Sequence, residues 1–149
     1  MTDPELIAAL IERFQTTCRH PSMRPLIIHQ HNSNSLLDPT THPEVSKPGV
    51  YVHYDDADRA FYIGSSGYPC GRNAVHFRRL DARAECDLPA RIDLIEVANP
   101  WEIFSLEMFL QWEIADGGID ARWNAWKARH YAKRAASPET AAALHEILY

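Results

Sequence analysis

Apolar residues recur at helical spacing near the start of the chain, where Leu6, Ile7, Leu10, Ile11 and Phe14 form one stripe between residues 3 and 19. Asp3-Pro4 precedes them as a cap followed by proline at the first helical position, so the chain is predicted to open with a helix. From Pro21 to Pro48 the sequence is rich in Pro, Ser, Thr, Asn and His, with Leu26-Ile27-Ile28 and Leu36-Leu37 as its apolar anchors. This reads as mostly loop, with room for one short strand. Gly49 to Tyr54 and Ala60 to Ser65 are β-branched and aromatic, and the polar Asp55 to Arg59 between them suits a turn, so the two segments should pair as a hairpin.

Gly71 to Arg83 reads as a second helix, with Val75, Phe77 and Leu80 available for packing and Arg72, His76, Arg79 and Arg83 recurring on one face. Arg91 to Ala98 fits a third strand that ends at Asn99-Pro100. In Trp101 to Ala115, Ile103, Leu106, Phe109, Leu110 and Ile114 follow helical spacing, and Gly117-Gly118 is a stop signal. A basic, tryptophan-bearing segment follows, then a final helix from Ser137-Pro138. The order is α+β: a small three-stranded, mainly antiparallel sheet flanked by helices, with an added N-terminal helix and C-terminal helices.

A length of 149 residues with 46% hydrophobic content suits one domain with one core. No apolar run approaches a membrane span, and Asp3, Glu5 and Glu12 stand where a secretory signal would be basic, so a cytoplasmic protein with no membrane partner is expected. Cys18, Cys70 and Cys86 form neither a Cys-x-x-Cys pair nor an even set, which favours reduced thiols. The net charge of -5 opposes nucleic-acid binding through bulk electrostatics. The objection weakens locally, because residues 121–135 hold Arg122, Lys127, Arg129, Lys133 and Arg134 and no acid. A basic stripe and a solvated helix face explain those five residues equally well.

The chemistry is concentrated in GVYVHYDDADRAFYIGSSGYPCGRNAVHF and, later, FSLEMFLQWEIADGGIDARWN. Together they resemble the GIY-YIG nuclease family. Gly49-Val50-Tyr51 departs from the first signature by one methylene, and Tyr62-Ile63-Gly64 matches the second. Arg72 follows where the family keeps an arginine at the start of a helix, His76 lies one turn on, and Glu107 sits in a Leu-Glu helix segment. Asn124 stands where a late asparagine often closes the domain, although its Gly-Gly and basic context is unusual. The resemblance covers residues 48–124, leaving 1–47 as an N-terminal helix and loop extension and 125–149 as a C-terminal helical tail.

That resemblance implies a metal-dependent endonuclease, acting on DNA rather than RNA. Tyr51 would take the proton of the attacking water, with help from His76 or the metal field, since a phenol ordinarily titrates near ~10. Tyr62 would orient the water or a phosphate oxygen. Arg72 would clamp the phosphate with its planar fork of donors. Glu107 would hold Mg²⁺ or Mn²⁺, with Glu102 and Glu113 as weaker rivals. Arg79, Arg83, Arg122, Lys127 and Arg129 are the expected nucleic-acid contacts. Targeting would fall to residues 1–47, to the basic tail or to a protein partner. The alternatives are a catalytically inactive nucleic-acid-binding module on the same fold and an antibacterial DNase toxin.

Other groups weigh less at this level. His29 and His31 alternate as on one side of a strand, with His42 near in sequence, so zinc is conceivable there, although a polar loop gathers histidines without a metal. Asp55, Asp56 and Asp58 lack the glycine and terminal glutamate of a calcium loop and read as a solvated turn. Trp123, Trp126 and Tyr131 could stack on bases, but packing against the sheet is the commoner use of such tryptophans.

Overall fold

The opening helix α1 covers Asp3–Thr17 and begins one residue earlier than the Asp3-Pro4 signal implied. Thr2 is the cap: its side chain accepts from the Glu5 backbone N–H, and the Glu5 carboxylate accepts from the Thr2 backbone N–H at 2.7 Å. Asp3 is instead buried, where it accepts from the Ala60 backbone N–H at 2.8 Å and ties the helix to the sheet. The computed structural model describes residues 2–83 and 88–114, the side chains of 79–83 excepted. The remaining elements are β1 (Ile27–His31), β2 (Gly49–Tyr54), β3 (Ala60–Ser66), α2 (Pro69–Arg83), β4 (Arg91–Glu96) and α3 (Ile103–Ile114).

The sheet has four strands in the order β1-β4-β2-β3, and every neighbouring pair is antiparallel. Three strands were expected, and β1 corrects that number. The short apolar run before His29 joins the sheet by pairing with β4, a partner more than sixty residues away that no local pattern announces. As an edge strand β1 needs little apolar content: Ile27 and Ile28 remain exposed, and burial in this stretch falls on Leu26 and His31. The segment between β1 and β2 folds into two short 3-10 turns, Ser35–Leu37 and Pro43–Ser46, which bury Leu36 and Val45.

Side chains alternate across the sheet, so each face has its own core. On one face α1 and α3 pack Ile7, Leu10, Ile11, Phe14, Leu106 and Leu110 against Val50, Val52, Ile63 and Ile95. On the other, α2 and the two 3-10 turns enclose Tyr51, Phe77, Ile92, Leu94, Leu36 and Val45. The α3 spacing read from the sequence holds, since Ile103, Leu106, Leu110 and Ile114 are all buried. The Asp55 turn is closed by its own side chain, which accepts from Ala57 and Arg59 backbone N–H groups, each at 2.9 Å. Among the described residues Cys18 and Cys70 are free thiols, and no helix is long and apolar enough to cross a membrane.

Candidate functional site

The β2–β3 register sets Tyr51 opposite Gly64 and His53 opposite Tyr62. Directly opposed residues of an antiparallel pair share a face, so both tyrosines and His53 point toward the α2 side. The two phenol rings lie 6.3 Å apart at 18°, and the His53 ring lies 5.5 Å from Tyr51 and 5.2 Å from Tyr62. Gly64 makes this arrangement possible. A Cβ there would stand 2.6 Å from Tyr51 Cε2 and 2.8 Å from Tyr62 Cε1, so the glycine of the second signature is a space requirement of the two rings.

Arg72 lies in the first turn of α2 and is exposed, while His76, one turn on, is buried with its ring 5.5 Å from that of Tyr62. Glu107 arrives from the opposite layer. Helix α3 packs on the edge strand β3, and the half-buried Glu107 carboxylate accepts from the Ser65 hydroxyl and, at 3.3 Å, from Gln111 Nε2. Gln111 also donates to the Ile63 carbonyl at 3.2 Å, which fixes the helix against that strand.

Burial pushes the Tyr51 phenol far up, with Tyr62 and Glu107 adding to the rise and Arg72 opposing it by charge and hydrogen bonding. Tyr62 is raised in the same way, again with Arg72 lowering and Glu107 raising it. Glu107 is itself raised, chiefly by desolvation, and its hydrogen bonds from Ser65 and Gln111 work against that rise. Two phenols, one guanidinium and one carboxylate thus share one electrostatic neighbourhood.

No protein-family model and no curated protein matches this chain.

His53, Asn73 and Ser65 belong to the site and were not anticipated. Asn73 Nδ2 donates to the Pro69 carbonyl at 2.9 Å, which turns Oδ1 toward His53 Nε2, also at 2.9 Å. His53 Nε2 therefore carries the proton and Nδ1 keeps its lone pair. Burial lowers this imidazole to about 3, so it stays neutral at ordinary pH. Strand parity was the available signal, because His53 lies two residues beyond Tyr51 on the same face. Nothing local announced Asn73 or Ser65, whose roles come from their partners.

The rival acids are otherwise engaged. Glu102 pairs with Arg19 at 2.6 Å, with both side chains buried, and Glu113 pairs with Arg13 at 2.5 Å. Glu107 lacks such a cation among the described ion pairs. One desolvated carboxylate beside a hydroxyl fits a hard divalent ion that keeps several waters. Asn124, Arg122, Lys127 and Arg129 lie outside the described residues, as do the side chains of Arg79 and Arg83.

Proposed function

We propose that the chain is a metal-dependent endonuclease of the GIY-YIG type that hydrolyses phosphodiester bonds, in DNA rather than RNA. The observation that carries this reading is the stacked Tyr51–Tyr62 pair over Gly64, with Arg72 and Glu107 acting electrostatically on both phenols. The order of hairpin, arginine-bearing helix, strand and glutamate-bearing helix supports it as well.

In this reading Arg72 receives the phosphate. It is exposed at the rim, and its planar donors match two non-bridging oxygens. Tyr62 stands beside the bound phosphate and orients an oxygen or the attacking water. Tyr51 cannot rest as a phenolate, because burial holds its proton on. It accepts the water's proton only in the fraction of molecules that has already released its own to solvent, and positive charge gathered around it raises that fraction. Arg72 already acts in that sense. A divalent ion held by Glu107 would supply further positive charge when bound, stabilising the oxygens on which negative charge develops. Ser65 and Gln111 keep the Glu107 carboxylate aimed, and neutral His53 backs the phenols without adding a competing charge.

Purified chain incubated with supercoiled plasmid and Mg²⁺ should nick it, and a chelator should stop the reaction. Glu107→Ala should abolish nicking, and Tyr51→Phe should lower the rate by roughly 10²–10⁴-fold, the usual range for a lost acid-base group. Nicking that survives Glu107→Ala refutes the site. DNA binding with no cleavage under any divalent ion would favour the non-catalytic module instead.

A further inference from the structure

At the other end of the α2-facing side of the sheet, a second group of titratable side chains converges. His29 and His31 alternate on β1 and therefore share a face, while Glu44 comes from the 3-10 turn Pro43–Ser46 that precedes β2 and His42 from the position just before that turn. His31 Nε2 lies 3.0 Å from Glu44 Oε1, and His42 Nδ1 lies 3.6 Å from the same oxygen. One ligand atom each from His31, His42 and Glu44 all lie within 4.8 Å of one another. His29 Nδ1 stands 3.9 Å from Glu44 Oε1.

We propose that His31, His42 and Glu44 form a binding site for a zinc-class divalent transition metal, separate from Glu107 and independent of the nuclease reading. Donors about 2.0–2.2 Å from a tetrahedral ion stand roughly 3.3–3.6 Å from one another. Glu44 Oε1 stands 3.6 Å from His42 Nδ1 and 3.0 Å from His31 Nε2, so a bound ion would draw the His31 ring and the carboxylate slightly apart. The decisive observation is His31. Its side chain is 2% exposed, and Nε2 approaches the carboxylate to 3.0 Å without making a hydrogen bond of acceptable angle. A buried imidazole nitrogen and a carboxylate oxygen held this close can serve together as ligands of a third atom. His31 Nδ1 meets Ser35 Oγ at 2.9 Å, and Ser35 is held by the Asn32 backbone N–H at 3.0 Å. That contact fixes the ring and leaves Nε2 as the inward nitrogen.

Two imidazoles and one carboxylate suit zinc and its neighbours better than magnesium or calcium, which prefer oxygen. The fourth position falls to water or to His29. A metal here would join β1 to the 3-10 turn at Pro43–Ser46, which packs against α2. It would brace from behind the helix that carries Arg72.

The test uses untagged full-length chain, stripped with chelator and titrated with Zn²⁺ alone. One equivalent should bind and raise the melting temperature. His42→Ala, at a partly exposed position, and Glu44→Gln should each weaken binding by at least roughly tenfold, while Glu107→Ala should bind as the wild type does. Each variant is first shown to melt cooperatively in chelator. Co²⁺ in place of Zn²⁺ should give the visible bands of a tetrahedral site. Absence of stoichiometric binding, or binding that both His42→Ala and Glu44→Gln leave unchanged, overturns the proposal.

Discussion

The two faces of the sheet are built from different materials. The face under α1 and α3 is aliphatic: Ile7, Leu10, Ile11, Val50, Val52, Ile63, Ile95, Leu106 and Leu110 fill it. Its buried acids all have partners: Asp93 accepts from the Tyr54 hydroxyl at 3.0 Å and from Arg91 at 3.2 Å, Asp3 from the Ala60 backbone N–H, and Glu102 pairs with Arg19. The face under α2 buries His31, His53, Asn73 and His76 among Tyr51, Tyr62, Phe77 and Leu94. Burying ionisable groups is unfavourable, and the α2 face, which holds the buried imidazoles, draws less stability from apolar packing than the aliphatic face does. On the proposed function, the α2 face together with Glu107 of α3 positions the chemistry while the aliphatic core beneath α1 and α3 holds the fold, and mutation should separate the two.

The largest effect should come from Glu107→Gln. If Glu107 serves the site, nicking falls by at least 10³-fold, which corresponds to about 4 kcal/mol in the barrier, while urea unfolding changes little. A large stability loss with residual nicking would assign Glu107 to the fold. Leu110→Ala, on the aliphatic face, should do the reverse, destabilising by about 2–5 kcal/mol and leaving per-molecule activity near wild type below the melting transition.

Gly64→Ala probes the junction between the two phenols. Its Cβ would meet the Tyr51 and Tyr62 rings at 2.6–2.8 Å, so overpacking should cost about 1–3 kcal/mol and displace both hydroxyls. Gly67→Ala, which meets nothing within 4 Å, is the control and should not reproduce this loss. Equal behaviour of the two would mean that the rings yield freely and that their stacking matters little.

The most gradual effect is a pH dependence. His53 is held at about 3 when folded against an ordinary 6.5, so the unfolded chain takes up a proton that the folded chain refuses. Its stabilising contribution is full above about 6.5 and is lost as pH falls toward 3, by at most ~1.4 kcal/mol per pH unit. Urea titrations between pH 7 and 4 should show this slope, and His53→Gln should flatten it. Glu107 acts in the opposite sense: its raised carboxyl favours the folded chain below 4.5 and loses that advantage as pH rises through its folded value. A slope unchanged in His53→Gln would show that this imidazole is protonated or hydrated in the fold.

Local pattern alone was enough for α1, the β2–β3 hairpin, α2, β4 and α3, because each rests on periodicity or turn chemistry within about fifteen residues. The polarity of residues 55–59 and the stripe from Ile103 to Ile114 led directly to elements that exist. The meeting of Tyr51 and Tyr62 was expected from the family resemblance alone, because the register shift between His53 and Tyr54 decides which residues share a face and no local pattern announces it. Tertiary structure decided what depends on distant partners. It placed β1 beside β4, buried His53 so that its imidazole stays neutral, brought Glu107 to Ser65 on β3, and gathered His31, His42 and Glu44. Each of these arises from closing a long stretch of chain onto a particular register. The amino-acid order supplies the side chains for such contacts, but only the closed sheet determines which of them meet.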